Sequence, residues 1–316
     1  GRYSVIGVVL FSISFIFPLL APSYLLLCIS LFTAGIFVGS TDVAMNALVS
    51  EIEKKEAQNF MSAAHGFFSL GGAVSATVGS FLLPVFTKPA YHMLFIVLFV
   101  ITTNLILAKN YYKIVEETIS KEKKEYDFHA LKPLFIIAFI AFVIMSSEGA
   151  IEHWSGLYLK EVVGIVQENY LGFGFIFFSV MMTLGRFFAD QISAKIGAIK
   201  IIFYGCLIAC VGYICILTSL FKITLLGFGI VGLGLSVVVP ELFRVAGKTR
   251  GIKASIGISF VSGIGFIGFL LGPVILGYIS QTFSLKLSFL FLLSLTISVF
   301  LVLLVKFKIN YNSKNK

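Results

Sequence analysis

The stretch "YLLLCISLFTAGIFVGSTDVAMNALV", Tyr24 to Val49, decides the fold. It is apolar throughout except for one charged residue, Asp42, near its middle. About 20 such residues in a helix cross a hydrocarbon core of ~30 Å. In lipid every backbone polar group must be paired internally, which leaves helices and closed barrels. The alternating pattern of a barrel strand is absent here. Tyr24 to Val49 therefore reads as a membrane-spanning helix, and the question is why it carries an aspartate.

The same texture runs through all 316 residues, of which 58% are hydrophobic and 12% charged. A soluble domain carries about 25% charged residues, so lipid is the solvent for most of this chain. The net charge of +9 does not point to nucleic acid, because the lysines lie in short segments between apolar runs. Cys28, Cys206, Cys210 and Cys215 fall in or beside apolar runs with no histidine near them. They read as small packing hydrophobes, with no metal site and no cofactor implied.

Windows of about 20 residues give ten expected spans, at 3–20, 24–49, 60–85, 91–109, 133–158, 166–188, 199–220, 223–243, 255–280 and 284–307. Assigning the connections alternately to two sides places 20 of the Lys and Arg residues on the side of the N-terminus. Only Lys88, Lys160, Lys222 and Lys286 fall on the other. By the positive-inside rule both termini are cytoplasmic. The count of ten gains support too, since one missed span would invert every later loop.

The domain reading follows: four helices in 1–109, a cytoplasmic linker at 110–132, six helices in 133–307, and a cytoplasmic tail at 308–316. The linker mixes charges and has few apolar residues. A shift of 197 residues superimposes Gly35 on Gly232, Ser62 on Ser259, Gly66 on Gly263 and Gly71 on Gly268. Parallel repeats joined by a cytoplasmic linker are a transporter architecture. On that alignment the counterparts of spans five and six would precede Gly1, so the ten spans are expected to be helices 3–12 of a six-plus-six bundle.

"GRFFADQISAKIG", Gly185 to Gly197, resembles the cytoplasmic loop signature of the major facilitator superfamily, with Gln191 where a basic residue is usual. "TDVAMNALVSE" resembles the fucose-permease-like branch, whose fourth helix carries an acid and then an Asn four residues on, here Asp42 and Asn46. "EGAIEHWSGLYL", Glu148 to Leu159, is similar to the seventh helix of related bacterial inner-membrane permeases. The resemblance implies an all-α membrane protein of the major facilitator fold, located in a bacterial inner membrane and monomeric when full length.

Gly35, Gly39, Asp42 and Asn46 share one helical face, where small residues admit a neighbouring helix. A charge facing lipid costs at least ~2.5 kcal/mol, so this face meets protein or water. Asp42 is either structural glue between helices or, as the resemblance implies, a proton acceptor with Asn46 lining the cavity. His65 lies at a similar depth on the next span, within reach of Asn46, where it either relays protons or packs. Glu148 and Glu152 stand one turn apart and repel if both are charged. Glu148 reads as a proton-coupling cavity acid. Glu152 and Trp154 approach the outer interface, where they either anchor or line the solute cavity.

Arg186 and Asp190, at i and i+4, are either a solvated pair worth ~0.3–0.5 kcal/mol or, as the resemblance implies, part of a cytoplasmic latch with Gly185. In the latch Asp190 would sit near the N-terminus of the 255–280 helix and within reach of Arg244. Gly265, Gly268 and Gly272 form a stripe beside Pro273 that reads as close helix packing with a bend.

No catalytic triad, metal spacing or nucleotide loop is legible, and an enzyme is not expected. The expected function is proton-coupled uptake of a small polar, sugar-like solute by alternating access. The alternatives are a proton-coupled exporter of drugs or metabolites and a non-transporting membrane sensor or scaffold. The partners implied are the solute, protons and the lipid bilayer, and no nucleic acid.

Overall fold

A computed structural model of the chain describes residues 1–82, 85–86, 88–116 and 128–314. The central part of the expected linker, 117–127, lies outside the described residues, as does the end of the tail, 315–316. The first half comprises α1 (Arg2–Ser14), α2 (Ile16–Leu20), α3 (Tyr24–Glu56), α4 (Met61–Leu82) and α5 (Pro89–Ala108). The second comprises α6 (Phe135–Glu161), α7 (Phe173–Ile196), α8 (Ala198–Leu217), α9 (Phe221–Ser236), α10 (Val238–Gly247), α11 (Ala254–Thr282) and α12 (Leu285–Lys314). Among the described residues, nine helical segments are long and apolar enough to cross a membrane. The third expected span is α4, 22 residues long.

Prolines set the breaks. Pro18 has no N–H to give the carbonyl of Ser14, four residues back, and α1 ends at Ser14. Pro240 stands in the same relation to Ser236, and α9 ends there. Each pair of short helices forms one span, Arg2–Leu20 and Phe221–Gly247. Between α7 and α8 the chain turns on Gly197 alone, at φ 86°, a backbone region open to glycine.

Several expected boundaries move. The 51–59 turn is helical as far as Glu56, the 189–200 loop as far as Ile196, and the 308–316 tail as far as Lys314. Hydropathy reports where lipid stops, whereas a helix continues as long as its backbone bonds are made. With α3 at 33 residues, the rise of 1.5 Å per residue gives a rod of ~50 Å, longer than the hydrocarbon is thick.

The repeat is visible in the helices. Shifted by 197 residues, α1 and α2 fall on α8, α3 on α9 and α10, α4 on α11, and α5 on α12. Ser50 and Gly247 are 197 residues apart and meet where α3 crosses α10: a Cβ on Gly247 would run into the Ser50 side chain. Equivalent positions touching each other mark a two-fold axis between the halves.

The core sits in the second half, where 72% of the apolar 18-residue stretch of the α6 span and 78% of that of the α9–α10 span are buried, against 11% of that of α3. α6 and α11 pack backbone to backbone, since a Cβ on Gly268 or Gly272 would strike the main chain of Phe142 or Ser146. α8 and α9 do the same through Gly212 and Gly227. The halves meet where α4 lies on α7, α3 on α11, and α10 on both α3 and α4.

Candidate functional site

Two polar assemblies join the halves. The first runs through the middle of the bundle. Asp42 on α3 takes a hydrogen bond at Oδ1 from Asn46 Nδ2, 3.1 Å, while the same amide reaches the Asp42 carbonyl at 2.9 Å. The i, i+4 spacing puts both on one face and makes this bond local. Asn46 Oδ1 lies 3.0 Å from His65 Nε2 on α4, so with the amide in this orientation the imidazole donates. The His65 carbonyl accepts from Ser69 Oγ at 3.1 Å, and Ser69 Oγ accepts from Arg186 Nη1 on α7 of the other half. Arg186 Nη2 then faces Glu148 Oε1 on α6 at 4.0 Å. Asp42 Oδ2 is buried without a hydrogen-bond partner among the described residues.

The second assembly lies at the end of the bundle that holds the 51–59 turn. The first four N–H groups of a helix have no partner within it. At α4, Phe60 and Met61 donate to Glu53 Oε1, both at 2.8 Å. Ser62 and Ala63 donate to Asp190 Oδ1 and Oδ2, at 3.1 and 2.7 Å. One carboxylate from each half thus completes the N-terminus of α4, where the helix dipole favours negative charge. Arg244 ties the two acids together: Nε donates to Glu53 at 2.9 and 3.1 Å, and Nη2 to Asp190. Its Nη1 reaches Glu241 and, at 3.1 Å, Ser193. Lys248 Nζ adds a contact to Glu53 at 2.8 Å. A cleft of about 550 Å³ opens over this network between the 57–59 turn and the end of α7.

The expected residues sort as follows. Asp42, Asn46 and His65 come together, and Asp190 comes together with Arg244. Asp190 does not cap the 255–280 helix: it caps α4, the repeat equivalent of α11. The N-terminus of α11 is capped instead by Glu116, which accepts from Ser255 N at 2.8 Å and Ser255 Oγ at 2.9 Å. Arg186 does not pair with Asp190. Side chains on a helix lean toward its N-terminus, so Arg186 points back into the bundle, away from Asp190 and toward Glu148.

Gly185 packs against the Ser236 side chain, which a Cβ would displace. Gly35 and Gly39 have nothing within 4 Å of an added Cβ, so the small-residue stripe beside Asp42 admits no close helix among the described residues. Glu152 is exposed. Trp154 is half-buried and donates from Nε1 to the Pro273 carbonyl on α11 at 3.0 Å, which turns its polar edge to a helix rather than to a cavity. Glu53, Glu241, Lys248 and Glu116 were not singled out in the sequence; the only signal was their place at helix ends.

Chemically, the first assembly sets two groups that can take a proton, the Asp42 carboxyl and the His65 imidazole, on either side of one amide. The second can fasten two halves reversibly, since it is built of ion pairs and helix caps at one end. The sequence profile of the Major Facilitator Superfamily matches residues 2–252. The chain belongs to the Major Facilitator Superfamily.

As a superfamily chain it is 32% identical over 272 residues to an uncharacterised MFS-type transporter of Yersinia pestis, covering 83% of this chain and 68% of that protein. It is 27% identical to the membrane protein MosC of Rhizobium meliloti, covering 93% and 71%. Its fold is that of FucP in the outward conformation, with a TM-score of 0.79 at 16% identity over 95% of this chain and 81% of that one. The human organic anion transporter TETRAN shares it with a TM-score of 0.74 at 13% identity, over 96% and 77%. The superfamily is one of transporters, so this multi-pass membrane protein is a transporter and not an enzyme.

Proposed function

We propose that the protein is a proton-coupled importer of a small polar, sugar-like solute, working by alternating access as a monomer in a bacterial inner membrane with both termini cytoplasmic. The observation that carries this reading is the string Asp42–Asn46–His65, a half-buried acid on a membrane-spanning helix with one oxygen held and the other buried without a partner among the described residues. An apolar surrounding disfavours the charged form of a carboxyl, and water or a donor restores it. An acid whose surroundings alternate takes up a proton on one side and releases it on the other. Asp42 is given that role, with Asn46 as a hydrogen-bonding partner that steadies its carboxyl and His65 as the next titratable group of the same half.

The network of Glu53, Asp190 and Arg244 supplies the second requirement, a closure that can break. Its end of the bundle carries most of the lysines and arginines, which supports a cytoplasmic assignment. Import is further supported by the fold shared with a protein described as a fucose:proton symporter of E. coli, at 15% identity.

The test is Asp42→Asn, which fixes the neutral form. The variant is expected to lose uphill, proton-driven accumulation while downhill exchange of solute across the membrane survives. Accumulation against a gradient with unaltered pH dependence would leave Asp42 as structural glue.

A further inference from the structure

Arg186 and Glu148 are oppositely charged, their side chains only 8% and 16% exposed, yet they stand 4.0 Å apart, beyond hydrogen-bond length. A buried pair of this kind normally closes to two short parallel bonds, because each unsatisfied charged atom is costly there. Here Arg186 Nε and Glu148 Oε1 both lack a hydrogen-bond partner among the described residues.

Three features hold the pair open. Ser69 of the first half draws Arg186 Nη1 to itself. Gly149, next to Glu148, lies so close to α11 that a Cβ would overlap the Phe269 carbonyl, the one that Pro273 leaves without a helical donor. Gly185, next to Arg186, is pressed on the side chain of Ser236 of α9. Both side chains therefore start from backbones packed on different helices, α11 and α9.

We propose that Arg186 and Glu148 form a two-sided hydroxyl site, in which one solute hydroxyl accepts from the guanidinium and donates to the carboxylate. This rests on the reading of the protein as a transporter of a polar solute. A carboxylate or phosphate would satisfy Arg186 and be repelled by Glu148. An amine would satisfy Glu148 and be repelled by Arg186. A hydroxyl is donor and acceptor in one atom and satisfies both. The solute class is thus a neutral polyhydroxy compound, and Glu148 acts as an ionised acceptor rather than as a proton carrier. Because the same guanidinium holds Ser69, occupancy of the site bears directly on a contact between the halves.

The experiment measures thermal stabilisation of the purified protein by matched probes: glucose with gluconate and glucosamine, and galactose with galactonate and galactosamine. The neutral member of a set is expected to stabilise and its charged counterparts to bind about 10-fold more weakly or worse. Glu148→Gln should weaken the neutral probe about 10- to 100-fold. Ser69→Ala, which frees Arg186 to close on Glu148, should weaken it too while leaving the unliganded melting temperature unchanged or higher.

Preference for a charged member, no stabilisation by any neutral one, or unchanged affinity in both variants overturns the hydroxyl site. The transport reading is separable. If a charged solute is the one accumulated and Asp42→Asn abolishes its accumulation, proton-coupled transport stands and the hydroxyl site falls.

Discussion

Glu53 and Asp190 belong to opposite halves of the protein and cap the same helix. Glu53 takes the N–H groups of Phe60 and Met61, Asp190 those of Ser62 and Ala63. The N-terminus of α4 is complete only while the halves are together at this end. A conformational change that parts them must uncover two backbone donors and separate Arg244 from Glu53.

Asp190→Asn is therefore expected to weaken the closed state without touching the middle of the bundle. Hydrogen bonds to charged groups contribute ~1.5–3 kcal/mol, so the closed-to-open ratio should fall by about 10- to 100-fold. In a cysteine-free background, a single cysteine at Asn59, on the cleft, should react faster with a membrane-impermeant thiol reagent in inside-out vesicles. An unchanged rate would mean that Asp190 has no part in closure.

Glu53→Gln and Asp190→Asn should not add. Both acids share Arg244, and residues in one network show coupling of ~0.5–3 kcal/mol. The double variant should react at Asn59Cys less fast than the product of the two single effects predicts. Strict additivity would mean that the two caps act independently.

Two glycines on comparable stripes should behave oppositely. Gly272→Ala puts a Cβ into the Ser146 backbone and should cost ~1–3 kcal/mol, seen as a lower melting temperature in detergent. Gly39→Ala meets nothing within 4 Å and should be neutral, or stabilising by up to ~1 kcal/mol through helix propensity. Equal losses at both would mean that α3 has a close neighbour on that face.

Cysteines introduced at Lys88 and Lys160 should label from outside intact cells, and ones at Lys54 and Lys195 only after permeabilisation. Labelling of Lys54Cys in intact cells would reverse the orientation on which the cytoplasmic closure depends.

The nine membrane segments found among the described residues were legible, with α4 as a tenth helix, because lipid is a one-dimensional filter: a residue's hydropathy counts whatever lies beside it. The Asp42–Asn46 bond was legible as well, being one helical turn long. The far pairings were not. Arg244 meets Glu53 across 191 residues and Asp190 across 54, and no local pattern encodes which acid it takes. The repeat could have corrected the placement of Asp190. A residue of the second half that caps a helix across the axis must meet the first-half member of the pair α4 and α11. Arg186 was misplaced for a simpler reason, since i, i+4 spacing says that two residues share a face but not that the longer one leans their way.

The closure also divides cleanly. When the halves part, the second keeps Arg244 with Asp190 and Glu241, while Lys248, whose side chain is already 38% exposed, gives up Glu53 to water. The first departs with Glu53 still bound to the N–H groups of its own α4. Each group that loses a partner either keeps another, as Arg244 and Glu53 do, or already faces water, as Lys248 does. Such a seam can tear and reseal many times along the same line, as a turnover cycle demands.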